Sequence, residues 1–458
     1  MTYLYKNILL KKIGILGLGL SGKSVIGYFK NKNVKIYIWD DVKKNREGIK
    51  NKYCKISNFN ETSNLENIDL LFISPGIDLN HTIVLLAKKL GIFITGDLDI
   101  FWQDIFQCND ECIAVTGSNG KSTVSSIINF LLTSNKVNSF LGGNIGIPVL
   151  NLKPKSNNRT YVLEVSSYQL EIMENLKPNI AILTNLSFDH IERHGSFASY
   201  VKAKEKLFMN QDSSDIAVIN TDSKEGKKIY KKLKLKINGP KLIEISLRKK
   251  NKNAFYYSRG EIINSINKND FSLGKLSEIS SLKGQHNIEN ILIALTAVFS
   301  NGVSNKIIKR YLPKFKGLPH RIEEVTNNNN ILFINDSKST NLTSSKVALS
   351  CFENIIWIAG GRRKNENFSF IKDKIINIRA GFFIGESSAQ FYRYFNNYFY
   401  SKNCVNLQIA LSESIKYAEL ISEKVVILFS PGCASFDQYK NFEVRGESFK
   451  KQVLKYNR

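Results

Sequence analysis

The chain has 458 residues and a formal net charge of +25 at pH 7, and 43% of its residues are hydrophobic. So long a chain exceeds one hydrophobic core, and we expect about two to four domains. The lysines are scattered over surface segments such as 227–236 and 249–252 and do not alternate with aromatic residues on one face. This pattern argues against a nucleic-acid groove and favours a lysine-rich surface that attracts anionic substrates.

The cysteines and the apolar runs point to a protein of the cytoplasm. The six cysteines form no CxxC pair and no metal-ligand spacing, which is typical of a reducing compartment. Residues 8–20 are apolar enough to suggest a signal peptide, but Lys11 and Lys12 interrupt them, and a strand and turn explain them better. No apolar run approaches about 18 residues, so we predict no membrane span.

The first region, to about residue 107, alternates strands and helices. Strands are predicted over 13–16, 34–39, 70–73 and 92–95, with a helix over 21–31, which indicates a parallel sheet. Its first turn, from Gly17 to Gly22, reads GxGxxG, and Asp40-Asp41 follows roughly twenty residues on. Taken alone, this fingerprint predicts NAD or FAD binding.

A phosphate-binding loop opens the second region, after a connector predicted over 101–110. An apolar strand over 112–115 leads into a loop with two glycines, a lysine and a serine, and a helix follows over 123–132. Val115 occupies the position of the usual first glycine, so the loop is shorter than the standard form. The alternative is a tight turn with a solvated lysine. The loop residues are Gly117, Ser118, Asn119, Gly120, Lys121, Ser122 and Thr123.

Polar residues follow two further strands, predicted over 161–165 and 180–183. Glu164 ends the first of them, where a carboxylate beside a phosphate loop suits Mg²⁺, although a helix-capping acid is the equal alternative. His190 follows the second and is either a ligand or a structural histidine. A helix over 196–209 carries three lysines, which ordinarily form a solvated face. Residues 224–282 are expected to form a peripheral antiparallel addition, with strands over 241–247 and 254–258, before a helix over 286–299.

The third region begins near residue 313 and is again α/β. Its predicted strands cover 331–334, 355–359, 381–384 and 425–429, and dense polar clusters follow the first and the last of them, at 335–341 and 430–442. The fold class is therefore α/β with three domains in series. These are a Rossmann-like domain (1–107), a P-loop-type central domain with a parallel sheet and a small antiparallel addition (108–312), and a Rossmann-like C-terminal domain (313–458).

The order of these motifs is more specific than any one of them. The series T-G-S-N-G-K-S-T, G-N-I-G, E-V-S-S-Y-Q-L, D-H, H-N-x-x-N, G-L-P-H-R, N-D-S-K-S-T-N and S-P-G-C-A-S-F-D-Q-Y-K-N-F resembles the Mur ligase family over nearly the whole chain. The last two motifs are closest to the members that add D-glutamate. The resemblance implies an ATP-dependent amide ligase of peptidoglycan precursor synthesis. It would join D-glutamate to UDP-N-acetylmuramoyl-L-alanine through an acyl phosphate, with two Mg²⁺ ions.

The resemblance also implies roles for single residues. ATP would be bound by residues 117–123 together with Asn287, Asn290, Arg321 and Asp336. Mg²⁺ would be held by Ser122, Glu164, His190 and Lys204, with Lys204 carbamylated. The UDP-sugar would contact Leu20, Ser21, Asp40, Asp41, Ser74, Gly76 and Asn144. D-Glutamate would contact Lys338, Thr340, Lys364, Ser435 and Phe442. The catalytic group would be Lys121, Asn144, His190 and Lys204.

Three positions depart from the family pattern. The spacing between His190 and Tyr200 is one residue shorter, so Lys202 and Lys206 remain alternatives to Lys204. Val42, followed by two lysines, stands where the family often has an arginine. Arg362 stands where some relatives have an aspartate.

Three other functions compete with this interpretation. One is another Mur-type or folylpolyglutamate-type amide ligase, against which the motif at 430–442 argues. The second is an NAD-dependent oxidoreductase, which leaves the phosphate loop unexplained. The third is a nucleic-acid-dependent ATPase, which would need an apolar strand ending in aspartate. We expect a monomer with small-molecule partners.

Overall fold

The structure is a computed structural model that describes residues 12–47, 49, 53–152, 157–251, 253–266, 270–279, 282, 285–328, 330–363 and 367–456. The chain divides into two compact units. The first comprises Met1–Glu278 with Ile288–Pro313, and the second comprises Ile279–Asn287 with Lys314–Arg458. The predicted boundaries at 107/108 and 312/313 stay predictions.

A five-stranded parallel sheet begins the first unit, as the alternating pattern predicts. Its order is β3-β2-β1-β4-β5, the arrangement expected when crossover helices cover both faces. The strands are β1 (Lys12–Leu16), β2 (Lys35–Trp39), β3 (Cys54–Ile56), β4 (Leu70–Ile73) and β5 (Phe93–Thr95). The helices are α1 (Leu20–Phe29), α2 (Lys43–Glu47), α3 (Thr62–Glu66), α4 (Thr82–Lys89) and α5 (Asp97–Asp104).

The predicted connector over 101–110 is wrong in its first part, because α5 continues to Asp104. Phe101 of this helix is fully buried, and its ring meets that of Tyr161 edge to face at 4.8 Å between centroids. The apolar residues of 98–101 are needed for this packing, which joins the cores of the first two sheets.

The second sheet of the first unit has six parallel strands in the order β11-β10-β9-β6-β8-β7. They are β6 (Glu111–Thr116), β7 (Ser139–Gly143), β8 (Thr160–Glu164), β9 (Ile180–Leu183), β10 (Ile216–Asn220) and β11 (Lys241–Ile245). The helices of this part are α6 (Lys121–Ser134), α7 (Ser167–Ile172), α8 (Ile191–His194), α9 (Phe197–Glu205), α10 (Lys224–Lys234), α11 (Gln285–Ser300) and α12 (Asn305–Tyr311). Short 3₁₀ turns lie at Val149–Asn151, Lys206–Phe208, Leu276–Glu278 and Leu312–Lys314.

The antiparallel addition is real but smaller than predicted. Among the described residues, it consists of β12 (Phe255–Ser258), β13 (Glu261–Asn264) and β14 (Phe271–Lys275). The first part of the predicted segment is instead the helix α10, and β11 pairs in parallel with β10 at the edge of the second sheet. The reason is the four-residue spacing of Ile229 and Leu233, which gives α10 a buried stripe despite its many lysines.

The second unit contains a six-stranded sheet in the order β15-β16-β20-β17-β18-β19, with β15 antiparallel at one edge. Apolar clusters cover both of its faces. The strands are β15 (Glu323–Asn328), β16 (Ile331–Asn335), β17 (Ile355–Gly360), β18 (Ile378–Ile384), β19 (Tyr400–Val405) and β20 (Val425–Phe429). The helices are α13 (Leu342–Leu349), α14 (Ser388–Phe395), α15 (Leu407–Glu419), α16 (Phe442–Tyr456) and a 3₁₀ segment (Phe368–Asn377).

Among the described residues, no helix is long and apolar enough to cross a membrane. The six cysteines all lie among the described residues, and none of them is in a disulfide bond.

Candidate active site

The phosphate loop joins β6 to α6. Gly120 has a φ of +82°, and a Cβ atom added to it would lie 2.1 Å from Oδ1 of Asn290, so this position requires glycine. Lys121 opens the helix, and its Nζ donates to the carbonyl oxygens of Gly117 (2.8 Å) and Ser118 (2.9 Å). A lysine ammonium and the N terminus of a long helix thus lie at one glycine turn, an arrangement suited to phosphate.

Residues that follow β9 hold this loop in place. Oγ1 of Thr184 donates to the carbonyl oxygen of Asn119 at 2.6 Å, and the amide of Asn119 donates to Oδ1 of Asn185 at 2.9 Å. The hydroxyls of Ser118 and Tyr200 lie 2.9 Å apart. The loop backbone is therefore fixed by side chains of the neighbouring strand and helix before any ligand binds.

Glu164 lies at the carboxyl end of β8, next to β6 in the sheet. It is 3% exposed, and its Oε1 accepts a hydrogen bond of 2.7 Å from Nδ2 of Asn144. Its Oε2 is buried without a hydrogen-bond partner among the described residues. Because a buried, unpartnered carboxylate oxygen is costly, this atom is suited to a cation.

His190 adopts a left-handed backbone conformation, with φ of +53°, directly before α8. Its Nδ1 lies 2.9 Å from the hydroxyl of Tyr168, which leaves Nε2 as the second ring nitrogen for a ligand. Nε2 lies 3.4 Å from Oδ2 of Asp189. A left-handed histidine held by a neighbouring phenol is the type of strained geometry that concentrates at functional sites.

Lys204 of α9 is buried beside the phosphate loop. The residue is only 1% exposed, and its Nζ donates to the carbonyl oxygen of Gly117 at 2.8 Å. Burial, and then the nearby charge of Lys121, hold the pKa of Lys204 well below its ordinary value. A buried amine with a depressed pKa is available as a neutral nucleophile.

The two alternative lysines have other environments. Lys202 is exposed on α9, and Nζ of Lys206 donates to the carbonyl oxygen of Glu171 at 2.7 Å. Among the described residues, only Lys204 of these three lysines donates a hydrogen bond to the phosphate loop. The geometry therefore favours Lys204 among the three.

The residues that the resemblance assigns to Mg²⁺ fit this ion. The described residues contain no cluster of three or more His, Cys, Asp or Glu side chains that could hold a metal by themselves. Glu164 nevertheless offers the unpartnered oxygen, with a serine hydroxyl and an imidazole at the carboxyl edge of the same sheet. Mg²⁺ commonly binds one or two carboxylates and completes its shell with water and phosphate oxygens.

The glycine turn of the first sheet is also tightly built. A Cβ atom at Gly22 would lie 2.0 Å from the carbonyl oxygen of Gly17, which also accepts a 2.8 Å hydrogen bond from the hydroxyl of Ser74. Leu20, at the start of α1, is 77% exposed. Gly76 lies in the turn after β4.

The two predicted acidic residues after β2 differ in environment. Asp40 is buried, and its carboxylate accepts the amides of Leu18 (2.8 Å) and Val42 (2.9 Å), so it shapes the glycine turn. Asp41 pairs with Nε2 of His81 at 2.8 Å. Burial raises the pKa of Asp41, but hydrogen bonds from His81 and a tryptophan lower it below its ordinary value overall.

Sequence reasoning missed two residues near this turn. Arg46 donates to the carbonyl oxygen of Asp40, and its guanidinium lies 4.2 Å from the ring centroid of Trp39. It is an arginine after the acidic strand end, displaced in sequence from the family position. Asp97 is fully buried and bonded to the side chains of Ser21 and Gln169, although burial raises its pKa. It links the glycine turn to the helix that follows Glu164.

In the second unit, Asp336 follows β16 and is 3% exposed. Its Oδ2 accepts hydrogen bonds from the hydroxyls of Ser339 (2.5 Å) and Ser430 (2.7 Å), and its Oδ1 accepts from the amide of Ile322 (3.2 Å). Burial raises the pKa of Asp336 to about 6. The two polar clusters that follow β16 and β20 therefore meet at this carboxyl group.

The predicted D-glutamate residues of the same unit lie on these two clusters. Nζ of Lys338 lies 5.7 Å from the ring centroid of Phe442, whose carbonyl oxygen accepts a 2.9 Å hydrogen bond from the hydroxyl of Ser337. Thr340 is half-buried, and Ser435 is buried. Lys364 lies outside the described residues.

Arg445 of α16 joins the clusters, and sequence reasoning missed it. It is 1% exposed, and it donates to the hydroxyl of Ser337 (3.1 Å) and to the carbonyl oxygen of Cys433 (3.0 Å). Its partners are 108 and 12 residues away in sequence. Only its position shortly after the motif at 430–442 could have drawn attention to it.

The remaining predicted residues have the following places. Asn287 and Asn290 are 8% and 4% exposed in α11, and Arg321 is half-buried. Arg362, at the position that departs from the family, forms an ion pair of 2.9 Å with Glu386.

Two family models match this chain. The model described as "Mur ligase MurD-like, N-terminal domain" matches residues 11–96, and the "Mur ligase middle domain" matches residues 115–298. Relatives at 33% and 36% identity match 96% of its length. The chain belongs to the Mur ligase family.

These relatives are UDP-N-acetylmuramoylalanine–D-glutamate ligases. The one from Rickettsia prowazekii (strain Madrid E) is 36% identical over 443 residues, covering 96% of this chain and 97% of the relative. The one from Bartonella henselae is 33% identical over 458 residues, covering 96% of each. Among solved structures, UDP-N-acetylmuramate–alanine ligase MurC from Thermotoga maritima matches with a TM-score of 0.59 at 18% identity, covering 97% of this chain and 99% of that one. That likeness concerns the fold.

Proposed function

We propose that the chain joins D-glutamate to UDP-N-acetylmuramoyl-L-alanine at the expense of ATP, giving ADP and phosphate, in peptidoglycan precursor synthesis. The match to D-glutamate ligases over 96% of the chain is the observation that carries this proposal. The MurD-like first domain replaces the NAD or FAD interpretation of the glycine turn, since a glycine turn at a helix N terminus accepts either kind of pyrophosphate.

The chemistry follows from the weakness of a carboxylate as an electrophile. The γ-phosphoryl group of ATP passes to an oxygen of the L-alanyl carboxylate, which forms an acyl phosphate and releases ADP. The amine of D-glutamate then attacks the acyl carbon and loses a proton. The tetrahedral intermediate collapses to the amide as phosphate leaves with the transferred oxygen.

Residues of the first unit are proposed to bind the reacting groups. Lys121 binds the phosphoryl oxygens, and Asn144 lies by the acyl carboxylate. Ser122, Glu164 and His190 would hold Mg²⁺. When bound, Mg²⁺ neutralises charge on the phosphoryl oxygens.

The buried amine of Lys204 is proposed to add to CO₂ and lose a proton. This converts a neutral amine into a carbamate anion able to bind a metal, and the depressed pKa of Lys204, which favours the neutral amine, supports it.

The other predicted contacts complete the proposal. The first sheet would bind the UDP-sugar through Leu20, Ser21, Asp40, Asp41, Ser74 and Gly76. Asn287, Asn290, Arg321 and Asp336 would contact ATP. Lys338, Thr340, Lys364, Ser435 and Phe442 would bind D-glutamate. We propose that the protein acts as a monomer, which light scattering would test.

Phosphate release by the purified protein with ATP, Mg²⁺ and UDP-N-acetylmuramoyl-L-alanine tests the activity. We expect turnover only when D-glutamate is added, and not with L-glutamate or meso-diaminopimelate. Turnover without an amino acid, or a preference for another one, would contradict the proposal.

A further inference from the structure

The helix α10 of the first unit is unusually basic on one face. It packs Gly226, Ile229 and Leu233 against the rest of the unit and exposes its other side. The exposed side carries six lysines and lies opposite the buried stripe at 100° per residue. These are Lys224, Lys227, Lys228, Lys231, Lys232 and Lys234.

Two aliphatic side chains stand out in the turn that follows this helix. Leu235 is 84% exposed and Ile237 is 89% exposed. Between them, Nζ of Lys236 donates to the carbonyl oxygens of Met209 and Gln211, at 2.7 Å each. These bonds anchor the turn, so the two aliphatic side chains are presented to solvent by an ordered backbone.

Leu235 and Ile237, together called the aliphatic tip, share one face with the lysines. Continuing the helical rotation places Leu235 between Lys228 and Lys231 on the exposed side. Acidic residues compensate little of the charge, because Glu225 is the only acid in α10. Among the described residues, Lys232 is the one lysine of this face with an ion-pair partner, Glu205 at 2.7 Å.

We propose that the exposed face of α10 and the turn 235–237 form a peripheral binding surface for an anionic phospholipid bilayer. The lysines would lie against the headgroups while Leu235 and Ile237 enter the interface, as in other basic amphipathic membrane-surface helices. A nucleic acid satisfies the charge but offers no apolar phase to Leu235 and Ile237, and neither α10 nor the turn 235–237 has an exposed aromatic ring that could stack on bases. None of the residues of this surface is among those proposed for catalysis.

The expected strength follows from the charge count. Each lysine near an anionic leaflet contributes roughly fivefold in affinity, so removing three weakens binding by about a hundredfold. The attraction falls with salt, because the screening length shortens from about 10 Å at 0.1 M to about 3 Å at 1 M. Loss of the aliphatic tip instead weakens binding at every salt concentration.

Co-sedimentation of the full chain with vesicles tests the proposal. We expect binding to vesicles of phosphatidylcholine mixed with phosphatidylglycerol, none to phosphatidylcholine alone, and loss of binding at high salt. Lys227→Gln with Lys228→Gln and Lys231→Gln should weaken it by about a hundredfold. Leu235→Ser with Ile237→Ser should weaken it about tenfold or more without changing its salt dependence.

A control variant that loses three lysines elsewhere in the chain distinguishes an effect of this surface from an effect of the overall charge. Lys30→Gln with Lys88→Gln and Lys89→Gln removes the same charge from exposed positions directly after α1 and at the end of α4 and should change binding less than about threefold. Equal weakening by both triple variants, no binding to anionic vesicles, or α10-dependent binding to duplex DNA in place of vesicles would overturn the proposal. Unchanged circular dichroism and ATP binding would show that each variant is folded.

Discussion

The buried carboxyl of Asp336 makes the stability of the second unit depend on pH. Burial raises its pKa from 3.8 to about 6 in the folded chain. The folded state therefore keeps a proton that the unfolded state releases between those two values. The resulting stability is present below about pH 4 and is lost as the pH rises through about 6. At pH 8 the free energy of unfolding is therefore about 3 kcal/mol lower than it would be if the folded chain kept the ordinary pKa of this carboxyl.

Asp336→Asn removes this titration with little change of shape. The amide oxygen still accepts from the amide of Ile322, and its NH₂ group can donate to the hydroxyls of Ser339 and Ser430, which rotate to accept. We expect the ligand-free variant to be about 2–3 kcal/mol more stable than the parent at pH 8. The difference in free energy of unfolding between variant and parent should fall to about 1 kcal/mol near pH 4.5. We also expect the variant to lose ligase activity.

A local reporter is available for this measurement. Nε1 of Trp357 donates to the carbonyl oxygen of Ser430 at 2.8 Å, so its fluorescence follows unfolding of this region. Guanidinium unfolding in a Trp39→Phe, Trp102→Phe background would isolate its signal, because the chain has three tryptophans. A variant less stable than the parent at pH 8, or a gap of equal size at both pH values, would refute the reasoning.

Three further predictions concern the first unit. Gly120→Ala should weaken ATP binding in calorimetry at least about tenfold, whereas Gly260→Ala, at a φ of +85° but in open space, should leave it unchanged. Lys204→Ala should abolish turnover and recover part of it with short carboxylic acids, which Lys202→Ala should not need; no rescue would count against a carbamate. Tyr168→Phe removes the hydrogen bond to the imidazole of His190 and should weaken Mn²⁺ binding about tenfold at unchanged melting temperature. Electron paramagnetic resonance with ATP present would measure the Mn²⁺ affinity. Unaltered Mn²⁺ affinity would mean that this phenol does not position the ligand.

Much of the fold could be predicted from the local pattern of apolar and polar residues in the sequence. The strands over 70–73 and 180–183 have the predicted bounds, because continuous apolar runs bounded by turn residues are typical of buried parallel strands. Parallel strands bring their carboxyl ends to one edge, so Glu164 and the loop of Lys121 could be placed together. The helix α10 was missed, since frequent lysines hide a stripe formed by only three buried residues.

Contacts between segments that lie far apart in the chain could not be predicted from the sequence. Asp97 is recognisable only through bonds to side chains of two different helices, and Arg445 through a partner 108 residues away. No spacing rule within a single segment reveals such pairs, because each depends on how separate elements pack.

Oxygen transfer from substrate to phosphate tests the proposed ligase chemistry most directly. UDP-N-acetylmuramoyl-L-alanine carrying ¹⁸O in its alanyl carboxylate would be turned over with ATP, Mg²⁺ and D-glutamate, and the released phosphate analysed by mass spectrometry. An acyl phosphate requires the carboxylate oxygen to leave with phosphorus, so we predict one ¹⁸O atom in each phosphate from labelled substrate. Phosphate free of ¹⁸O, despite amide formation, would contradict the account.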